Sequence, residues 1–243
     1  MIVPAPLILP EHVGQYSVGA AAQTAHALAE RVGDGLRNAL EARGKASLVV
    51  SGGRSPVGFL EALAAQALDW AQVSVTLADE RWLSPAHSDS NAGLVRKALL
   101  RGAAARASFV PLYGGEASPE TGLSACIDRL SRIGMPFDVV VLGMGEDGHT
   151  ASLFPESAEL RGLLAPDAPL AGVVHPPHAP HPRISLSLPA LLDSRSIFVL
   201  IGGQRKREVI EQACRRADPL SMPIAAVLLQ QRTPVEVFCD APD

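Results

Sequence analysis

One aspartate and one histidine, set two residues apart in Asp147-Gly148-His149, are the side chains of this 243-residue protein best suited by type and spacing to proton transfer. A neutral imidazole can take a proton from water at neutral pH, an effect usually worth about 10²- to 10⁴-fold. The pair follows Phe137 to Leu142, an apolar run rich in valine and broken only by Asp138, which reads as a strand buried on both faces of a parallel sheet. Gly143, Gly145 and Gly148 then allow positive φ and close backbone approach, so the loop can aim N–H groups at a bound oxygen. No G-x-S-x-G elbow occurs, which leaves water rather than a serine as the natural nucleophile. Taken alone, a histidine after a glycine turn reads equally well as a plain helix-start residue. GMGEDG also matches G-x-G-x-x-G in form. It lies deep in the chain, and no acidic residue closes a second strand about 20 residues on, so a nicotinamide site is not expected.

Three further stretches are directed at an anion. Ser47 to Val50 reads as a strand running into Gly52-Gly53-Arg54-Ser55-Pro56, with Ser55 as N-cap and Pro56 in the first helical position. Free N–H groups and a helix dipole there would hold a phosphate, although an ordinary strand-to-helix turn uses Gly and Ser too. Arg54 favours the anion, because a cation just before a helix N-terminus is unfavourable unless something negative joins it. Asp79, Glu80 and Arg81 end the alternating run Val73 to Leu77. A carboxylate pair beside an arginine suits sugar hydroxyls and a phosphate, and equally suits plain solvation. Gly202-Gly203-Gln204-Arg205-Lys206-Arg207 places three cations in the first turn of a helix, against its dipole, unless an anion is shared. A phosphorylated small molecule, gripped at its phosphate with its reacting carbon near His149, fits this layout.

The surrounding pattern says what carries these loops. Val18, Ala22, Ala25, Ala29, Val32, Leu36 and Leu40 mark one buried helical face. Asp89-Ser90-Asn91 caps a helix over Ala92 to Leu100, and Ser118-Pro119-Glu120 opens another with Leu123, Cys126, Ile127 and Leu130 inward. Arg183 to Leu188 alternates, Ser196 to Ile201 is a buried strand, and Ile224 to Leu229 and Val235 to Cys239 supply two last strands. Strands alternating with helices indicate an α/β fold, a doubly wound, mainly parallel sheet with helices on both faces, in one domain spanning 1–243. The exception is a loose, proline-rich loop from 166 to 182. His175, His178 and His181 recur there every three residues, a spacing open to metal binding or to simple solvation.

Twenty-one basic and twenty-five acidic side chains give a net charge of −4, no electrostatic basis for nucleic acid or an anionic membrane as partner. No apolar run spans a bilayer, and the start of the chain lacks the basic flank and cleavage site of a signal peptide. Three scattered cysteines read as buried thiols in a reducing cytoplasm, and the common zinc patterns are missing.

SGGRSP at 51 to 56, DERW at 79 to 82, DSN at 89 to 91, LGMGEDGHTASLFP at 142 to 155, RISLSLP at 183 to 189 and GGQRKREV at 202 to 209 stand in the order of the 6-phosphogluconolactonase family, which the chain resembles over nearly its whole length. The resemblance implies the modified Rossmann-like fold shared with sugar-phosphate isomerases and deaminases. It also implies hydrolysis of 6-phosphoglucono-1,5-lactone, a sugar phosphate lactone, in the pentose phosphate pathway, with no metal or organic cofactor; a monomer or weak homo-oligomer is expected. By the same resemblance His149 is the general base and Asp147 the neighbour that orients it. Arg81, Arg183 and Lys206 surround the phosphate, and Gly52, Gly53 and Ser55 cradle it. Arg54, Asp79, Glu80, Asn91 and Gly145 complete the expected substrate contacts, with backbone N–H groups near Gly145 steadying an oxyanion. Two features depart from the family pattern: Arg54-Ser55 replaces a pair of small hydroxyl residues, and Arg205 adds a cation beside Lys206. Hexosamine-6-phosphate deaminases carry a loop resembling DGHIAFNEP, and Phe154 stands where they place a glutamate. A sensor of the same fold would usually bring a DNA-binding segment, and no basic helix-turn-helix pattern is present.

Overall fold

The computed structural model describes residues 6–17, 19–53 and 55–240. Val18, expected to open the first helical face, and Arg54, expected at the phosphate, lie outside the described residues. The first half of the chain forms β1 (Val13–Ser17), α1 (Ala21–Arg43), β2 (Ala46–Val50), α2 (Val57–Ala64), β3 (Val73–Leu77), β4 (Asp79–Arg81), α3 (Asn91–Ala98), β5 (Ser108–Phe109) and α4 (Pro119–Ser131). The second half forms β6 (Val139–Gly143), α5 (Leu160–Leu164), β7 (Ala171–Val174), β8 (Arg183–Leu186), α6 (Leu188–Leu192), β9 (Ile197–Ile201), α7 (Gly203–Arg216), α8 (Ile224–Leu229) and β10 (Val235–Cys239).

Seven strands make one parallel sheet in the order β1-β10-β9-β6-β2-β3-β5. Every residue of β2 and β9 is buried, which explains why these strands read as unbroken apolar runs rather than alternating ones. From β2 the chain moves outward through β3 to β5, then returns to the other side of β2 as β6 and moves outward again through β9 to β10. The direction of winding therefore reverses between β2 and β6. Beyond the carboxyl ends of strands at such a reversal, the two loops diverge and leave a crevice. The loops concerned are those at Gly52 and at Gly143 to His149.

Helix α1 buries Ala25, Leu28, Ala29, Val32, Leu36 and Ala39, as its three- and four-residue spacing requires. Gly35 serves close packing: a Cβ there would stand 2.9 Å from Val139 Cγ2, on the strand that leads to the crevice. Helices α3 and α4 begin as expected, with Ser90 Oγ accepting from Gly93 N–H at 3.1 Å and Ser118 Oγ accepting from Thr121 N–H at 3.4 Å. Helix α2 does not begin as expected. It is entered through Pro56 without a side-chain cap bond, and Ser55 is exposed.

Two other expectations are corrected. Ile224 to Leu229 is helix α8 rather than a strand; an apolar run of six fits either element, and here Pro223 precedes it and two alanines sit within it. The stretch from 166 to 182 contains β7, which pairs antiparallel with β8, itself antiparallel to β4. This second, three-stranded sheet is covered on both faces at β8, where all four residues are buried. Its register sets Arg81 directly opposite Arg183. Among the described residues no helix is long and apolar enough to cross a membrane.

Candidate active site

The crevice between the β2 and β6 loops is a cleft of about 260 Å³. Gly52, Gly53, Ser55, Asp79, Arg81, Asn91, Gly145, His149, Arg183 and Lys206 all line it, so most of the residues singled out from the sequence converge on one place.

The base end is built by a tight turn after β6. Gly148 N–H donates to Gly145 O at 3.1 Å, and Gly148 holds a φ of +81°, in the left-handed region that favours glycine. Gly145 N–H donates to His149 O at 2.9 Å. That bond takes up the Gly145 amide within the turn, so an oxyanion in the cleft would be met by other N–H groups of the loop. The need for glycine at 145 is steric instead: a Cβ would lie 2.2 Å from both Cε1 and Nδ1 of His149 and 2.6 Å from Asp147 Oδ1.

The carboxylate of Asp147 stands 2.6 Å from His149 Nδ1, and the same oxygen accepts from His149 N–H at 3.1 Å. Burial alone would raise the Asp147 carboxyl, but hydrogen bonding and attraction to His149 outweigh it and hold the group below the ordinary carboxylate range. An ionised Asp147 accepts only, so it fixes hydrogen on Nδ1 and leaves Nε2 with its lone pair. Thr150 Oγ1 donates to Gly143 O at 2.8 Å and ties the far end of the turn back to β6.

The anion end is built by the small sheet. Like charges placed directly opposite on antiparallel strands repel, and Arg81 and Arg183 are such a pair. Burial lowers the proton affinity of Arg183 and the nearness of Arg81 lowers it further, against the attraction of Asp79. A guanidinium stays charged all the same, so the pair calls for negative charge nearby, part of which Asp79 supplies to Arg183. Arg183 Nη1 reaches Asp79 Oδ2 at 3.6 Å and Ser152 Oγ at 3.5 Å, while Ser152 Oγ donates to the same Asp79 oxygen at 2.5 Å. Asp79, which also lines the cleft, thus holds Arg183 in place. Arg81 is anchored through Nη1 to Asp89 O at 2.5 Å.

Unmatched polar atoms point to the same cleft. Ser51 Oγ, Arg81 Nε, Asn91 Oδ1 and Arg183 Nε are buried without a hydrogen-bond partner, and each belongs to a cleft residue. Buried polar groups are nearly always matched, so four atoms without a protein partner around one cavity call for polar partners within it, water or ligand. Gly52 lets Asn91 approach closely, since a Cβ at 52 would fall 1.8 Å from Asn91 Oδ1.

Other expected residues are placed elsewhere. Glu80 is fully buried and does not line the cleft; its carboxylate accepts from the N–H groups of Arg81, Asn91 and Ala92 and from Ser90 Oγ, which fastens the start of α3. Burial raises the Glu80 carboxyl above its usual range despite those bonds. Of the three cations opening α7, Lys206 lines the cleft, Arg205 is exposed and pairs with Glu208 at 3.6 Å, and Arg207 is buried with Nη1 at 3.3 Å from both Ser17 Oγ and Cys239 Sγ. His175, His178 and His181 diverge to separate acidic partners: His175 to Glu159 and Glu120, His178 to Glu156, His181 to Asp89. No group of three metal-ligating side chains occurs among the described residues. Sequence reasoning missed Ser152 and Ser185, and weighed Phe154 only against the glutamate that deaminases carry there. Ser185 Oγ accepts from Ser152 N–H at 3.1 Å, and Phe154 packs on His149. The local reversal between 150 and 153 turns Ser152 and Phe154 toward the site, and Ser185 is delivered by β8.

Comparison with known proteins places the chain in a family. The family model described as glucosamine-6-phosphate isomerases/6-phosphogluconolactonase matches residues 19–236. The chain is 46% identical to a 6-phosphogluconolactonase of Pseudomonas aeruginosa over 91% of its length and 94% of the relative's. It is 42% identical to one of Rhizobium meliloti, covering 88% and 93%. Superposition on the crystal structure of a 6-phosphogluconolactonase from Shewanella baltica gives a TM-score of 0.93 at 43% identity, covering 97% of this chain and 100% of that one. A monomeric glucosamine-6-phosphate deaminase shares the fold at 17% identity, with a TM-score of 0.78 over 94% of this chain and 97% of that one.

Proposed function

We infer that this chain, which belongs to the glucosamine-6-phosphate isomerase/6-phosphogluconolactonase family, is a carboxylic ester hydrolase that opens 6-phosphoglucono-1,5-lactone to 6-phosphogluconate in the pentose phosphate pathway. The observation that carries the reading is the facing pair Arg81 and Arg183, short of hydrogen-bond partners, in the same cleft as the Asp147-held imidazole of His149.

In this mechanism the lactone's phosphate lies between Arg81, Arg183 and Lys206, which fixes the acyl carbon near His149. His149 Nε2 takes a proton from a water molecule as that water's oxygen attacks the lactone carbonyl. The imidazolium so formed is balanced by Asp147 through the Nδ1 bond. It returns the proton to the ring oxygen as the bond between that oxygen and the acyl carbon breaks, and the product is a free carboxylic acid that ionises in water. Asn91 Oδ1 and Ser51 Oγ, both unmatched, are acceptors suited to the sugar hydroxyls. Phe154, beside His149, offers no carboxylate of the kind a deaminase uses for ring opening.

The proposal extends to setting. The cysteines at 126, 214 and 239 are free thiols, in keeping with a reducing cytoplasm, and the chain is read as one domain acting as a monomer or weak homo-oligomer. The test is a lactonase assay at slightly acidic pH, where spontaneous opening is slower, with phosphorylated and unphosphorylated gluconolactone side by side. The phosphorylated lactone is expected to be preferred by at least about tenfold in kcat/KM, the worth of one charged contact. Turnover no faster than spontaneous opening would reject the reading.

A further inference from the structure

Phe154 makes ring contacts with both ends of the site. Its ring centroid lies 4.3 Å from that of the His149 imidazole, with the planes inclined by 33°, and the guanidinium carbon of Arg183 lies over the same ring, 5.0 Å from its centroid. The side chain is 6% exposed. It is delivered by a reversal in which Leu153 N–H donates to Thr150 O at 2.9 Å and Ala151 adopts a φ of +48°. Ser152 ties that reversal to both strands that carry the arginines, through Ser185 Oγ on β8 and Asp79 Oδ2 on β4. The Phe154 carbonyl is held in turn by Ser157 Oγ at 3.1 Å.

A phenyl ring exchanges no proton and binds no phosphate. What it offers is a face with negative quadrupole potential, which attracts a guanidinium and, once the base is protonated, an imidazolium. Flat groups packed on one ring also fix each other's planes. We propose that Phe154 is a positioning residue that links capture of the anion to the base. An anion bound by Arg183 steadies the guanidinium already lying on the ring, and the ring steadies the imidazole in the plane from which Nε2 faces the acyl carbon. The link gives a role to a buried ring that meets both Arg183 and His149. It deepens the lactonase reading and rests on that reading for its kinetic arm alone.

The test compares wild type with Phe154→Leu, which removes the ring, and Phe154→Tyr, which keeps it. Should the leucine variant not fold, Phe154→Met makes the same comparison with an unbranched apolar chain. With phosphorylated lactone, loss of the ring is expected to lower kcat and raise KM, a combined loss of roughly 3- to 30-fold in kcat/KM. With unphosphorylated lactone kcat falls and KM stays. The tyrosine variant restores most of both. The second arm needs no turnover: the His149 imidazole resonance, identified by its disappearance in His149→Gln, is followed by NMR as inorganic phosphate is added. Wild type is expected to show a phosphate-dependent shift, and Phe154→Leu to lose most of it. An unchanged phosphate response in the leucine variant, or a fall in kcat with KM for the phosphorylated lactone unmoved, would overturn the proposal and leave Phe154 as packing only. If wild type hydrolyses no lactone yet its phosphate response still depends on the ring, the lactonase reading fails and the link stands.

Discussion

Replacing Arg183 by methionine deletes a cation while keeping most of the stem, and the structure sets what should follow. Arg183 is buried, faces Arg81 across two paired strands, and is held by Asp79 at 3.6 Å. A hydrogen bond to a charged group contributes about 1.5–3 kcal/mol, which corresponds to roughly 10- to 150-fold in affinity. Two unit charges 4 Å apart attract by about 4 kcal/mol at an effective dielectric constant of 20, so this range allows for partial compensation by Arg81 and Lys206. The kcat/KM for phosphorylated lactone is therefore expected to fall by about 10- to 150-fold, mainly through KM, while that for unphosphorylated gluconolactone stays within about a factor of two. Stability supplies an independent check. Removing Arg183 ends its repulsion with Arg81 but leaves the Asp79 carboxylate without its ion pair, and the two changes oppose each other. The melting temperature without ligand should move little. Phosphate that stabilises wild type by about 2.7 kcal/mol at a hundredfold excess over Kd should do far less for the variant. Equal losses on both substrates, or a large fall in melting temperature with no change in substrate preference, would show that Arg183 serves the fold and not the anion.

Asp147→Asn is expected to lower kcat by roughly 10²- to 10⁴-fold with KM for the phosphorylated lactone nearly unchanged, because the amide no longer balances the imidazolium. Since the native Asp147 carboxyl is held below its ordinary range, its contribution to stability is present above that range and fades as pH falls through the lowered native value. The gap in melting temperature between wild type and Asp147→Asn should accordingly narrow in acid, and, as Asp147 is half exposed, it should be small throughout. Gly145→Ala would put a methyl group 2.2 Å from the imidazole, so kcat should drop on both lactones while phosphate still raises the melting temperature.

The main sheet was legible from sequence wherever a strand is buried on both faces, as at Ser47 to Val50 and Phe137 to Leu142, because such runs carry no competing helical period. The site loops were legible for a related reason: they sit at strand ends where glycines and charges interrupt apolar sequence, as at Gly52 and Gly143 to His149. The small sheet was not legible. Its strands β4 and β7 have three and four residues, β7 pairs with β8 across the short proline-rich loop, and the pairing of β4 with β8 is set by tertiary contact across about a hundred residues of chain. That pairing decides which charges face the ligand: it turns Arg81 and Arg183 into partners, sends Glu80 inward to hold α3, and assigns Asp79 to Arg183. The helix at Ile224 to Leu229 escaped because six apolar residues fit either element, and only packing decides between them.

The most direct test of the account is the rate of His149→Ala with phosphorylated lactone, after subtraction of spontaneous opening, paired with the thermal shift that 6-phosphogluconate gives the same variant. The expected result is a fall in kcat of roughly 10²- to 10⁴-fold with the product-induced shift retained, which separates the base from the anion grip. A variant that turns over at the wild-type rate would contradict the assignment of His149 as the group that activates water.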